Sequence, residues 1–186
     1  KEIQTAAGKG VNPKANVIGL DGIAVILHPS NPVSGLTAQQ IIGIYTGKIN
    51  NWSEVGGSNL KIVVVSRDSA SGTFEAFNEL ALKGGKVRPD ALMQASNQAV
   101  ATTVAQTPGA IGYVGMGYIS DKVKVVAVDN AVPSKETVLS KKYKYARPLF
   151  MYTDGEPKGI VKEYLDFVIS KEGQKLVEEV GFIGLK

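Results

Sequence analysis

The feature that most constrains the fold is a run of β-branched residues, 61-KIVVVS-66, that passes directly into the polar stretch 66-SRDSASGTFEAF-77. A short apolar run of this kind is typical of a buried strand that is covered on both faces. After the polar stretch, Phe74, Phe77 and Ala81 fall on one side at helical period, and a glycine pair follows that suits a left-handed helix cap. The pattern predicts a strand, a loop and a helix in succession.

The same alternation of strand and helix patterns continues along the chain. Thr37 and Gln40 have the spacing of a capping box and predict a helix from about Ala38. Further elements are predicted as strands at 17–29, 110–119, 123–128 and 147–153, and as helices over 98–105 and from Pro157. This order predicts an α/β fold with a mixed, largely parallel sheet.

Composition narrows the possible functions. The chain has 186 residues, of which 44% are hydrophobic and 20% charged, so it can bury a core as one domain or two small ones. Its net charge of +4 is scattered without a run of five like charges, and we expect no nucleic-acid partner. Cysteine is absent and His28 is the only histidine, so we expect no disulfide, no metal site and no cofactor, and a structural role for His28.

The polar stretch carries groups that bind anions. If the helix begins near Gly72, the backbone N–H groups of Gly72, Thr73 and Phe74 have no partner within the helix, and they point outward with partial positive charge. Ser71 and Thr73 add hydroxyl donors, and Gly72 lets an oxyanion approach the backbone. Arg67 supplies a planar fork for phosphate or carboxylate. Together these groups predict a site for a tetrahedral oxyanion.

Two other interpretations of this stretch remain open from the residues alone. Serine and threonine are common helix caps, and Arg67 could simply pair with Asp68 or Glu75. Ser71 could be a nucleophile in a phosphatase, but that chemistry needs a positioned base, and no G-x-S-x-G or Walker A motif accompanies it.

The string RDSASGTFEAF resembles the Arg-x-x-x-Ser-Gly-Thr segment of the periplasmic phosphate-binding proteins that serve phosphate ABC importers. Further segments resemble that family in the expected order: 22-GIAVILHPSNP-32, 36-LTAQQIIGIYTGKINNWSEVGG-57, 108-PGAIGYVG-115 and 163-EYLDFVISKEGQKLVEEVGFIGL-185. The resemblance implies a two-lobed, hinged fold of the type 2 periplasmic-binding-protein kind, with ligand bound between the lobes.

The resemblance also assigns residues and a function. It implies phosphate contacts for Arg67, Ser71, Gly72 and Thr73. Asp68, Ser69 and Asn97 are candidates for positions that support these contacts from behind. It implies a periplasmic or extracellular solute-binding protein, with a lipid anchor left open, that captures inorganic phosphate and passes it to a membrane ABC permease without catalysis. The alternatives are a phosphate sensor or surface-assembly subunit and, less favoured, a phosphatase.

Two departures from the family pattern concern the arginine and the start of the chain. Ser69 stands where some members have an acidic residue two places after the arginine, and Asp68 lies one place earlier. No match to the family's amino-terminal ligand loop, or to its proton-accepting aspartate, precedes Gly22. Because Lys1–Gly10 resemble the segment after that aspartate, we expect the chain to begin partway through the first lobe. Asp21 lies too far along the sequence to replace the family's proton-accepting aspartate, and it is expected on a hinge strand.

The expected domain organisation follows from this resemblance. Residues 1–22 would end lobe one and form the hinge strand, 23–128 would form lobe two with the anion-binding loop, and 129–186 would cross back into an incomplete lobe one. The apolar stripe of the last part, Ile160–Ile169, is interpreted as core that normally packs on the missing portion. Another chain or fragment should therefore cover it.

Four further residues have predicted structural roles. Asn97 is predicted to cap a helix. Tyr113 and Tyr118 are predicted to pack in the core or to line the hinge, and Trp52 is predicted to have a packing role.

Overall fold

The chain forms two compact units and crosses between them twice. The structure is a computed structural model that describes residues 2–185, so Lys1, where the first resembling segment starts, lies outside the described residues. One unit comprises Lys1–Asp21 with Arg147–Lys186, and the other comprises Gly22–Ala146. Residues 129–146 group with the second unit, whereas the sequence assigned them to the return crossing. The assignment of lobes itself stays a prediction.

Helices and strands alternate through the second unit, as the sequence predicts. A long strand, β1, enters it from the first unit. The elements that follow are β1 (Pro13–Leu27), β2 (Gly35–Leu36), α2 (Ala38–Tyr45), β3 (Val63–Arg67), α3 (Gly72–Phe77), β4 (Leu92–Gln94), α4 (Asn97–Gln106), β5 (Ala110–Gly115), β6 (Lys124–Val125), β7 (Ala127–Val128) and α5 (Lys135–Leu139). The helix that precedes β1 is α1 (Glu2–Ala7).

Local signals account for most of these boundaries. The predicted capping box is present, since the Thr37 hydroxyl accepts from the Gln40 N–H at 3.1 Å and the Gln40 side chain accepts from the Thr37 N–H at 2.8 Å. After α3 the chain continues as a π-helical turn over Asn78–Leu82. The left-handed cap there is Lys83 with φ 52°, and Gly84 follows with φ 80°. The predicted strand 123–128 is interrupted at Val126 and contributes to two different sheets.

The main sheet is mixed. Its order is β4-β3-β5-β1-β6, in which β3 runs parallel to β4 and β5, and β1 runs antiparallel to β5 and β6. Every residue of β1 from Ile23 to Leu27 is buried, so this part of the sheet is covered on both faces. Ala24 and Ile26 face a core cluster with α4, and the alternate residues face the other side. The predicted mixed α/β sheet is confirmed.

Gly112 on β5 allows α4 to lie close to the sheet. A Cβ atom at this position would stand 2.8 Å from side-chain carbons of both Val100 and Val104 on α4. A separation this short is a steric clash, so the close packing of α4 requires glycine there. The opposite face of the sheet carries an aromatic cluster, which consists of Tyr45, Phe77, Tyr113, Tyr143 and Tyr145.

In the first unit, β8 (Ala146–Asp154) pairs with β1, and two helices follow, α6 (Gly159–Ile169) and α7 (Lys171–Glu179). Helix α6 starts at Gly159, two residues later than the predicted start at Pro157. Most of its apolar stripe is exposed in this chain: Ile160 is 77% exposed, and only Leu165, at 6%, is buried. This exposure agrees with the expectation that the stripe lacks its usual partner in this chain; its packing on a further portion stays a prediction, and Leu165 is already buried.

Candidate anion-binding site

The site lies where strand β3 ends and helix α3 begins. Arg67 is the last residue of β3, and Gly72 is the first of α3. Ser71 is the N-cap, and its Oγ accepts a hydrogen bond from the Phe74 N–H at 3.2 Å. The predicted helix start at Gly72 is confirmed. The expectation that the Phe74 N–H points outward without a partner is wrong, because the cap occupies it, although the Ser71 hydroxyl proton can still be donated.

Asp68 shapes the turn between these elements. Its backbone carbonyl accepts from the Ser71 N–H at 3.1 Å, and its Oδ1 accepts from the Ala70 N–H at 3.0 Å. Side chains of Asp and Asn commonly hold turns in this way. Ser69 lies exposed at the tip of the same turn. Asp68 thus supports the backbone that leads into the helix.

The Arg67 guanidinium is held by three neutral oxygens. Its Nε donates to the Gln94 carbonyl at 3.1 Å, its Nη2 to the Ala95 carbonyl at 3.0 Å and its Nη1 to Asn97 Oδ1 at 3.3 Å. Because a guanidinium has five N–H groups, each terminal nitrogen keeps one more N–H beyond these bonds. The alternative pairing of Arg67 with Asp68 or Glu75 is not among the ion pairs of residues 2–185.

The acceptors of this arginine come from the adjacent strand and helix. Strand β4 lies parallel to β3, with Gln94 opposite Arg67 in the register, so its end delivers carbonyls beside the guanidinium. Helix α4 begins directly afterwards. Its N-cap is Ser96, whose Oγ accepts from the Ala99 N–H at 3.0 Å. The prediction of Asn97 as the cap is therefore wrong: Asn97 is the first helical residue, and its Nδ2 donates to Thr73 Oγ1 at 3.4 Å.

Tyr113 supports the same site from the neighbouring strand β5. Its hydroxyl accepts from the Arg67 N–H at 3.0 Å and lies 3.0 Å from Ser66 Oγ. The ring stacks on Phe77 of α3, with centroids 3.9 Å apart and planes 7° from parallel. Burial raises the pKa of the Tyr113 hydroxyl more than these hydrogen bonds lower it, so the group remains neutral. Tyr113 packs in the core as predicted, but its polar role was not predicted.

The other aromatic residues singled out from the sequence have separate roles. Trp52 is 1% exposed and donates its indole N–H to the Gly109 carbonyl at 2.8 Å, which confirms a packing role. Tyr118 is 46% exposed and so does not pack in the core, whereas its alternative role of lining the hinge stays a prediction. His28 shares a hydrogen bond of 2.8 Å with the Ser30 hydroxyl in a local turn.

Asp21 lies in the first unit, on β1. It is 8% exposed, and its Oδ2 stands 3.6 Å from Arg147 Nε. Burial raises the pKa of the Asp21 carboxyl, and the nearby Arg147 charge partly opposes that rise. This pair explains how a carboxylate is accommodated at a buried strand position.

Within residues 2–185, no group of three or more His, Cys, Asp or Glu side chains is placed to hold a metal ion. No helix in this described span combines the length and apolar character needed to cross a bilayer.

Comparison with known proteins places the chain in a family. A family model described as a PBP superfamily domain matches residues 1–172. The chain belongs to this superfamily. Among curated relatives, the phosphate-binding protein PstS of Borreliella burgdorferi is 33% identical over 186 residues, covering 93% of this chain and 66% of the relative. PstS of Bacillus subtilis is 34% identical over 180 residues, covering 94% of this chain and 60% of the relative. The chain thus spans less than two thirds of these relatives.

Solved structures of similar proteins share the fold. A substrate-binding protein from Clostridium perfringens, crystallised with bound phosphate, matches with a TM-score of 0.84 and 38% identity, over 100% of this chain and 76% of that one. An ABC-type phosphate transport receptor from Vibrio cholerae matches with a TM-score of 0.84 and 31% identity, over 92% of this chain and 72% of the other. These matches confirm the resemblance to phosphate-binding proteins and the fold it implied. The relatives are named as binding proteins or receptors.

Proposed function

We propose that the chain binds inorganic phosphate and belongs to a solute-binding protein that delivers phosphate to a membrane ABC permease. One observation carries this proposal: Arg67 is fixed beside the start of α3 by neutral oxygens alone. Its charge is therefore not balanced by a carboxylate in these contacts, and its remaining N–H groups can serve an anion. The names of the relatives support phosphate as that anion.

Each proposed ligand residue would donate to the phosphate oxygens. Arg67 would supply charge and N–H groups, while Ser71 and Thr73 would donate their hydroxyl protons. Gly72 places backbone without a side chain at the helix start, where the partial positive charge of the helix also favours an anion. A charge-assisted hydrogen bond contributes about 1.5 to 3 kcal/mol, and micromolar binding needs about 8 kcal/mol. Four or five such bonds would be sufficient.

We further propose that this chain supplies part of the complete site. The chain covers 66% and 60% of the two PstS relatives. The proposal is that further ligands and a proton acceptor, which the family resemblance leads us to expect, lie in the remaining portion. That portion, or another chain that replaces it, would also cover the exposed stripe of α6. Periplasmic or extracellular location follows from the same resemblance and is part of the proposal, as is binding without catalysis.

The second candidate is a phosphate sensor or surface-assembly subunit that retains the fold. A phosphatase is less favoured, since the Ser71 Oγ serves as a helix cap and His28 bonds to Ser30 in a separate turn. A chromogenic phosphate ester tests the phosphatase directly. We expect no hydrolysis above that of a Ser71→Ala variant.

Equilibrium dialysis with labelled phosphate tests the main proposal. We expect measurable binding by this chain and binding at least about tenfold tighter by a version extended at its amino terminus, a difference of about 1.4 kcal/mol. Unlabelled phosphate should displace the label from both. No binding by either form would refute the proposed function, whereas equal and tight binding would refute only the proposal of a shared site.

A further inference from the structure

Asn97 connects two of the proposed phosphate ligands, and we infer that it sets the direction in which the Thr73 hydroxyl donates. Its Oδ1 accepts from Arg67 Nη1 at 3.3 Å, and its Nδ2 donates to Thr73 Oγ1 at 3.4 Å. The inference rests on the proposed function and adds a positioning residue to the same site. Asn97 acts through its neighbours and need not touch the phosphate.

The orientation of the Asn97 amide follows from the chemistry of its partners. A guanidinium has only donors, so the amide oxygen must face Arg67. The amide NH₂ group then faces Thr73. A hydroxyl that accepts a hydrogen bond keeps its own proton for a different acceptor. Arg67 therefore orients Asn97, and Asn97 in turn leaves the Thr73 proton available for a phosphate oxygen.

The position of Asn97 in the fold keeps this chain of hydrogen bonds in place. Asn97 is the first residue of α4, whose start is fixed by the Ser96 cap. Helix α4 packs closely on the sheet at Gly112, and the carbonyls just before it hold the rest of the guanidinium. One short segment thus orients both the charged ligand and a hydroxyl ligand. Arg67 and Thr73 then offer only hydrogen-bond donors to the ligand, which suits the unprotonated oxygens of phosphate.

Substitution of Asn97 by aspartate reverses the direction of the hydrogen bond between residue 97 and the Thr73 hydroxyl. An ionised carboxylate only accepts, so Thr73 would turn its proton toward residue 97 and away from the ligand, and the new charge would offset that of Arg67. Calorimetric titration of the 186-residue chain with inorganic phosphate should show binding weaker by roughly 10- to 100-fold for Asn97→Asp. Asn97→Ala should have a smaller effect, because the Thr73 hydroxyl can then rotate toward the ligand.

Gln98→Glu is the matched control. It adds the same charge at the next residue of α4, where the exposed Gln98 side chain bonds only weakly to Thr102, at 3.5 Å. We expect its phosphate affinity to stay within about threefold of the parent. Equal effects of Asn97→Asp and Gln98→Glu would overturn the inference while leaving phosphate binding by the parent chain intact.

A double-mutant cycle with Thr73→Val separates positioning from general structural damage. If Asn97 acts through Thr73, the fold-loss caused by Asn97→Asp should be at least about threefold smaller in the Thr73→Val background. If the affinity losses of the two single variants simply multiply in the double variant, Asn97 does not act through Thr73. A measurement without ligand decides the case even if phosphate fails to bind: the side-chain ¹H–¹⁵N signal of Asn97 should shift in Thr73→Val, and an unchanged signal would overturn the inference.

Discussion

Removal of the Arg67 guanidinium should be the most damaging single change to phosphate binding. Beyond the three hydrogen bonds that hold it, the guanidinium has two N–H groups for the ligand. Two charge-assisted bonds of about 1.5 to 3 kcal/mol each would give at most about 6 kcal/mol. Because the Arg67 side chain is only half-buried, solvent screening lowers the contribution of these bonds. We expect Arg67→Ala to weaken the free energy of phosphate binding by roughly 2 to 4 kcal/mol.

Isothermal titration with inorganic phosphate measures this cost, which corresponds to an affinity loss of about 30- to 800-fold. Arg67→Lys should recover only part of it, since an ammonium has three donors and cannot satisfy the carbonyls of Gln94 and Ala95 together with a bidentate ligand. Lys86→Ala is the matched control: it removes one positive charge from an exposed side chain of the same unit. Thermal melting should confirm that all variants are folded at the titration temperature.

An unchanged affinity in Arg67→Ala would refute the reasoning. It would mean that the arginine only ties the ends of β3 and β4 together. A loss of equal size in Lys86→Ala would also refute it, because the effect would then reflect net charge and not a directed contact.

Three further predictions concern stability. Tyr113→Phe should lower the free energy of unfolding by about 1 to 2 kcal/mol in urea titrations, because the Arg67 N–H loses its acceptor. Leu165→Ala should lower the free energy of unfolding by about 2 to 5 kcal/mol, and Ile160→Ala by less than about 0.5 kcal/mol, because only Leu165 is buried. Similar losses for the two variants would contradict this difference in burial. The raised pKa of Asp21 means that the folded state binds a proton more readily than the unfolded state, so its contribution to stability falls as pH rises from about 3.9 through the folded pKa. Subtracting the unfolding profile of Asp21→Asn from that of the parent should show this decline, and a flat difference would contradict it.

The sequence predicted those parts of the site that depend on neighbouring residues. The β-branched run before Arg67 and the Ser-Gly-Thr signal after it are local features, and they place the end of β3 and the start of α3 correctly. The partners of the arginine could not be predicted in this way. Gln94, Ala95 and Asn97 lie 27 to 30 residues further along the chain, and only the pairing of β4 with β3 brings them to Arg67.

One error and one undetermined detail have simple physical causes. Ser96 and Asn97 are both good capping residues, and a displacement of one position decides which side chain turns back to the helix and which one points to Arg67. For the stripe of α6, the helical period shows which face is apolar but does not show which of its residues this chain covers. Ile160 therefore looks the same in sequence as Leu165, although their exposure differs more than tenfold.

The indole of Trp52 gives this chain a built-in optical probe. It is the only tryptophan, it is buried, and it is anchored to Gly109 within Gly22–Ala146. Its fluorescence therefore reports the unfolding of that unit alone, whereas far-ultraviolet circular dichroism also reports the unfolding of the helices in the other unit. Coincident transitions by the two signals would show that the chain unfolds as one cooperative body, and separated transitions would give each unit its own midpoint.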